Sequence, residues 1–412
     1  MTPEHQPKPP RPGDDSSESA ARPLVAIVSN SKTPYRLHVH RRIAAEIPQI
    51  RLSSLFTHEL SNAPWMLDAA PEIGPVSFGE GEVASHARSP MRLAHEWAKG
   101  GRIVRWLKEH GAAAVAIAGY SDPACLRVIR WCHQRGVPSF LIADSNIRGD
   151  LAGGAKAVLK RRLVRRVVNS VTAVLPFGSL GRAYFARYGA EERRMFNFPL
   201  EPDYAQIERV TTADVSAAEE RFRLPSGRRR LVYSGRLVEV KRVDLLLDAF
   251  AAITAARPGW DLVVAGDGPL AAALRGRVPA ELSPRVHWTG FIDHQALLSA
   301  LYRGCDVLVL PSDYEPWALV VNEAVAAGLA IVSSDVVGAS AELVEDGVNG
   351  RIFPRGDGAA LERALLEVTA ANRVDEMKRA SQQVLRAWRD RADPVEGFRA
   401  ALRFAGVLSS NA

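Results

Sequence analysis

No stretch of about 18 uninterrupted apolar residues occurs in this chain of 412, and no apolar core stands behind a basic start at its beginning. The first absence excludes a membrane-spanning helix. The second speaks against a signal peptide and makes the cytoplasm the expected compartment. Cysteine is scarce: Cys125, Cys132 and Cys305 stand in apolar or helical contexts without metal-ligand spacing. That excludes a disulfide framework, points to a reducing compartment and leaves core packing as their plain reading. Extreme composition is missing too. With 47% hydrophobic and 24% charged residues the chain is neither disordered nor fibrous, and its length accommodates two domains with a core each.

Positive charge is what the chain has in excess, and it is unevenly placed. From Leu151 to Leu200 ten Lys/Arg stand against two acids, a local balance of +8 that exceeds the net +7 of the whole chain.

Residues 1–22 are rich in Pro, Ser, Glu and Asp and read as a disordered tail. Leu24 to Ser29 then form a short continuous apolar run that suits a buried parallel strand, followed by the loop SKTPYR and a helix near 37–46. Strand candidates near 51–56, 113–118, 138–143 and 171–175 alternate with helices near 90–110, 123–135, 155–169 and 179–188. Two prolines in NFPLEPDY, residues 197–204, and a polar, charged stretch over 211–230 mark the linker and domain entry. A second series follows, with strands near 230–234, 261–265, 285–288, 307–310 and 330–333 and helices between them. The expected fold is α/β: two doubly wound parallel-sheet domains, 23–204 and 205–388, facing across a cleft, with a C-terminal helix over 389–412 that packs back on the first domain.

Two constellations carry chemistry. In PSDYEPWALVVNEAVAAG, Pro311 to Gly328, a strand ends, Glu315 lies in a loop and Glu323 falls on a helix among Val320, Val321, Val325 and Ala326. An unpaired carboxylate there costs several kcal/mol, roughly, so a polar partner is required, either structural or a ligand. After the strand at 230–234, Arg236 and Lys241 sit where a helix begins. Cations there oppose the helix dipole unless an anion lies between them, and a diphosphate meets that need. Taken alone the pair also reads as a solvated loop.

Taken together, SGRLVEVKRVDLLLDAF, VVAGDGP, VHWTGFID, CDVLVLPSDYEPWALVVNEAVAAG and DVVGASAELVEDGVNG resemble, in order and spacing, the C-terminal half of the retaining glycosyltransferases of family 4, the glycosyl transferases group 1. The resemblance is specific over roughly 230–354; across the first half it rests on the apolar first strand, the PYR at 34–36 and the βα rhythm. It implies a GT-B fold whose second Rossmann-like domain binds a nucleotide sugar and whose first binds the acceptor. Carried over, Arg236 and Lys241 hold the donor diphosphate and stabilise the charge that grows on it. Glu323 takes the ribose hydroxyls, Glu315 orients the sugar, and the backbone N–H groups of Ala318 and Leu319 face the diphosphate. No metal and no cofactor are implied, the NDP-sugar being a co-substrate, and no Asp-x-Asp loop is placed to hold a metal. The chain departs from the pattern at Ala318, commonly Gly, at the first loop SNSKTPYR, commonly glycine-rich, and at Asp144, where a His that reaches the sugar is common. Asp144 is expected to touch donor sugar or acceptor, or to cap the turn.

Other motifs are weaker. Gly266-Asp267-Gly268-Pro269-Leu270-Ala271 satisfies a dinucleotide fingerprint in form, but Asp267 adds negative charge and Pro269 removes a donor, so it reads as a turn before a helix. His38, His40 and His58 match no metal spacing. KAVLKRRLVRR, 156–166, forms a basic amphipathic helix that either meets an anionic membrane surface or packs its apolar side on the sheet. It lacks the aromatics of a nucleic-acid binder. The resulting expectation is a retaining, metal-independent transferase that moves sugar from an NDP-sugar to a glycan, lipid-linked or small-molecule acceptor, cytoplasmic or peripheral to the inner face of the membrane. The alternatives are a noncatalytic nucleotide-sugar or glycan-binding subunit and a GT-B hydrolase or epimerase.

Overall fold

The computed structural model describes residues 22–59, 70–83, 89–151 and 153–409. The expected disordered tail, apart from Arg22, lies outside the described residues. The first half comprises β1 (Leu24–Ser29), α1 (Pro34–Glu46), β2 (Arg51–Phe56), β3 (Pro75–Ser77), α2 (Pro90–Glu109), β4 (Ala114–Ala118), α3 (Pro123–Arg135), β5 (Ser139–Ala143), α4 (Gly154–Ser170), β6 (Ala173–Pro176) and α5 (Gly178–Arg187). After the linker come α6 (Tyr204–Glu208), α7 (Thr212–Arg221), β7 (Arg229–Ser234), α8 (Val243–Ile253), β8 (Trp260–Ala265), α9 (Ala271–Arg277), β9 (Val286–Gly290), α10 (Gln295–Arg303), β10 (Val307–Leu310), α11 (Leu319–Ala327), β11 (Ala330–Ser334), α12 (Ser340–Leu343) and β12 (Gly350–Phe353). The chain closes with α13 (Gly358–Val368), α14 (Arg373–Arg391) and α15 (Pro394–Phe404).

Two six-stranded parallel sheets result, in the orders β3-β2-β1-β4-β5-β6 and β12-β11-β10-β7-β8-β9. Their inner strands are predominantly apolar and buried on both faces, as helices on either side require. In each sheet the winding reverses once, between β1 and β4 in the first and between β7 and β10 in the second. Adjacent loops diverge there and leave a crevice at the carboxyl ends of the strands.

The polar stretch read as linker holds a helix instead. Thr211 and Asp214 form a capping box that starts α7, and α6 and α7 pack against α10 and α11. The linker is fixed to the second sheet by Trp317 Nε1, which donates to Leu200 O at 3.1 Å, and by Asn322 Nδ2, which donates to Tyr204 OH at 3.0 Å. The chain then crosses back: α15 packs on α1 and β6, with Phe398 against Phe140 and Phe198. Arg42 on α1 pairs with Glu201 of the linker and with Asp393, the cap of α15, so one guanidinium joins both crossings.

Candidate active site

The loops after β7 and β10 meet at the second sheet's reversal point, and they carry Arg236, Lys241 and Glu315. Arg236 is exposed, whereas the ammonium of Lys241, in the 3-10 turn Glu239–Lys241, donates to the Glu315 carboxylate. Their side chains are 15% and 13% exposed, so the pair is shielded but reachable. The loop holding Arg236 is propped from behind. Tyr233 OH donates to Arg236 O at 2.9 Å, and Leu237 N donates to Asp267 O at 2.9 Å. Gly266 passes so close that a Cβ there would stand 1.9 Å from Gly235 O, which explains the glycine in GDGP by backbone approach within the protein.

Helix α11 begins at Leu319 with no side-chain cap and no acid in its first turn, and Ala318 before it is left-handed at φ 74°. Its leading N–H groups thus face the same crevice without a side-chain partner. Four residues on, Glu323 is 7% exposed and accepts from Gln295 Nε2 at 2.8 Å and from Tyr302. Burial pushes its carboxyl up to about 7, against the lowering effect of those two donors. The partners demanded by the sequence are therefore Gln295 and Tyr302, both on α10.

Across from this lies a cavity of about 240 Å³ at the first sheet's reversal point, lined in part by Ser29, Arg36, His40, Gly119, Asp144 and Phe177. Asp144 is open to the cleft yet closely surrounded, and desolvation raises its carboxyl above the usual range; Arg36 lowers it and Glu315 raises it further. The last effect brings Asp144 and Glu315 into one electrostatic neighbourhood. Arg36 donates to Asn30 Oδ1 and to Ser31 O, which aims it into the cavity. Sequence reasoning missed it as a site residue. A cation in the first turn of α1, where the helix has no acid, was the available signal.

The two crevices are joined by the turn after β5. Asn146, buried at 6%, donates from Nδ2 to Val336 O at 2.9 Å, Glu315 O at 3.2 Å and Pro316 O at 3.4 Å, while its Oδ1 accepts from Arg148 N and Gly149 N. Arg148 pairs with Asp335 at 3.0 Å. The loop that presents Glu315 is thus held by the loop that presents Asp144.

The three histidines have separate environments. His40 is buried against Ser54 and pushed down to about 3, hence neutral, and His38 lies 3.8 Å from Glu201. His58, Glu96 and Asp122 offer ligand atoms close enough for a cation, but the fully buried ammonium of Lys99 already bonds Glu96, Glu82 and His58.

Residues 228–371 match the family model described as Glycosyl transferases group 1. Alpha-D-kanosaminyltransferase of Streptomyces kanamyceticus is 32% identical over 172 residues, 40% of this chain and 44% of that protein. The chain spans less than half the length of the curated relatives it matches. Among solved structures, sucrose-phosphate synthase of Thermosynechococcus elongatus superposes with a TM-score of 0.72 at 17% identity, over 94% of this chain and 98% of the other. Anabaena HepE in complex with UDP and glucose gives 0.69 at 16% identity, over 94% and 100%. At that identity the likeness shows the fold: two Rossmann-like domains facing across a cleft, the GT-B arrangement.

Proposed function

We propose that this chain is a group 1 glycosyltransferase that moves a sugar from an NDP-sugar to an acceptor hydroxyl, with retention at the anomeric carbon and without a metal. The observation that carries the reading is the shielded Lys241–Glu315 pair at the reversal point of the second sheet, beside Arg236 and the uncapped start of α11, within the segment that matches the family model. A diphosphate entering there takes Lys241 as a counter-ion, Arg236 as a forked donor and the N–H groups of Ala318 and Leu319. Both cations then oppose the charge that develops as the glycosidic bond breaks. Glu315, released from Lys241, is free to accept from the sugar's hydroxyls, and Glu323 from the ribose. The cavity at Arg36 and Asp144 receives the acceptor, a glycan, a glycolipid or a small molecule. HepE holding UDP and glucose in the same fold supports a nucleotide-sugar donor. The basic helix α4, 156–166, adds a peripheral contact with the inner face of an anionic membrane.

A thermal-shift panel of UDP-, GDP-, ADP- and CMP-sugars tests the donor site. One nucleotide is expected to raise the melting temperature, with the rise lost in Arg236→Ala, and turnover in Arg236→Ala or Lys241→Ala is expected to fall by about a hundredfold. No rise for any nucleotide, or a wild-type rate in either variant at saturating donor, overturns the reading. Donor binding with no turnover points to the binding subunit, and donor consumption without acceptor to a hydrolase or epimerase.

A further inference from the structure

Helix α4 has two apolar faces, and one of them has no cover among the described residues. Val164, Val167 and Val168 are buried on the sheet side, but Val158, Leu159 and Leu163 are 54%, 70% and 42% exposed. The helix carries six Lys/Arg and no acid. Packing on the sheet therefore accounts for one stripe of the helix and leaves the other, flanked by cations, facing outward.

That second stripe continues across α3 to α2. Leu163 and Trp97 of α2 line one groove of about 360 Å³, with Ile129 of α3 between them, Arg130 and Arg166 at its sides, and no acid in its lining. Trp97 is 41% exposed, and Leu93, one turn before it, 43%; Met91 at the start of α2 is 84% exposed. Both helices follow strands of one parallel sheet, so they run in the same direction and their N-termini lie at the carboxyl ends of the strands. Met91, Leu93, Val158 and Leu159 occupy those N-terminal turns, whereas Leu163, Arg166, Val167 and Ser170 place the groove along the C-terminal half of α4. Only the former lie at the end of the domain that also holds the Arg36–Asp144 cavity.

Scattered apolar residues on a surface need no explanation, but a contiguous band bordered by cations marks an interaction surface. Its charge pattern fits one occupant. A protein partner would need a complementary acidic apolar ridge, whereas an anionic bilayer offers negative headgroups outside and hydrocarbon beneath at the spacing of an amphipathic helix. We propose that the paired faces of α2 and α4 bed into an anionic phospholipid bilayer, with Trp97 at the headgroup level and one acyl chain entering the groove between them. This deepens the membrane contact proposed above and is independent of the transfer chemistry, since it needs no donor or acceptor.

The test is flotation of the full chain with vesicles of phosphatidylcholine alone and of phosphatidylcholine mixed with phosphatidylglycerol, at physiological and at high salt. Binding is expected with the anionic vesicles, weakening with salt, and with a blue shift of tryptophan emission that Trp97→Phe removes. Leu159→Glu with Leu163→Glu is expected to lower partitioning about tenfold or more. Because both positions are exposed, the circular-dichroism melt should match that of the wild type. Arg161→Gln, Arg162→Gln and Arg165→Gln together should reduce binding while leaving the residual less sensitive to salt. Absence of binding, equal binding to the neutral vesicles, or unaltered binding of the double glutamate variant overturns the proposal. So does light scattering that shows a dimer dispersed by that variant, which would assign the face to a second copy of this chain. A negative donor panel with positive flotation leaves the surface standing and removes the transferase reading; the reverse outcome does the opposite.

Discussion

A carboxyl raised to about 7 is half protonated at neutral pH, and for Glu323 this has two measurable consequences. Folding first: the folded chain holds this proton more tightly than the unfolded one, so the stabilisation is complete below the unfolded value near 4.5 and is lost as pH rises through about 7. The difference corresponds to roughly 3 kcal/mol for so buried a group. Glu323→Gln is therefore expected to be more stable than the wild type at about pH 8 and to lose most of that advantage near pH 5, as read by urea denaturation. Binding runs the other way. Ribose hydroxyls donate to the ionised form, so nucleotide affinity should rise with pH and level off above about 7. Binding near neutrality should also release a proton, visible by calorimetry in buffers of different ionisation enthalpy. In Glu323→Gln both the pH dependence and the release should vanish. An unchanged affinity in that variant would remove the ribose role.

The Glu323 problem was legible in the sequence as a carboxylate on an apolar helix face. Its answer was not, because Gln295 lies on another helix 28 residues away and Tyr302 below it is an ordinary apolar-stripe residue by pattern. Arg36 was within reach, by the same dipole argument that singled out Arg236 and Lys241.

Among the elements, the turn at Asn146 does most to set the geometry of the cleft. One amide spends its donors on three carbonyls of the facing loop and its oxygen on its own turn. Asn146→Asp replaces those donors by a charge aimed at three carbonyls and is expected to hold the domains apart, raising the radius of gyration in small-angle scattering even without ligand. Turnover should fall about tenfold or more, since Glu315 loses its position relative to Asp144, while nucleotide affinity changes little. Asn146→Ala should show a smaller version of both effects. A wild-type scattering profile in Asn146→Asp would dismiss the turn as a clamp. Nothing in the sequence marks Asn146, since its partners lie about 170 to 190 positions further on. Elements were legible where burial is two-sided: β1 up to its last residue and β10 throughout are apolar runs and stand where the sequence places them. The edge strands β3 and β12 were missed because PVS and GRIF are too short and too polar to carry a pattern. Helix α7 was missed because its surface is polar and PSG follows it, although Thr211 and Asp214 spell its start.

At the scale of the whole molecule, the return of α15 to the first sheet couples the stability of the two halves. Phe398 is fully buried, with its ring centroid 6.0 Å from that of Phe140 and 5.8 Å from that of Phe198. Phe398→Ala is expected to cost about 3 to 5 kcal/mol. Calorimetry should show that loss in the melting of the first domain, although the mutated residue belongs to a helix that follows the second. A shift confined to the second domain would contradict the packing.

The chain thus passes between its halves twice, and the two passages touch: a Cβ at Gly397 would stand 1.7 Å from Asn197 O, and Arg42 grips both. A single tether allows swivelling in every direction, but two tethers pressed together leave one axis, the line along which they lie. The halves can open and shut like the covers of a book, and any twist across the spine has to strain the ion pairs of Arg42 with Glu201 and Asp393. Whatever is bound on one page is therefore brought against the same line of the other at every closing.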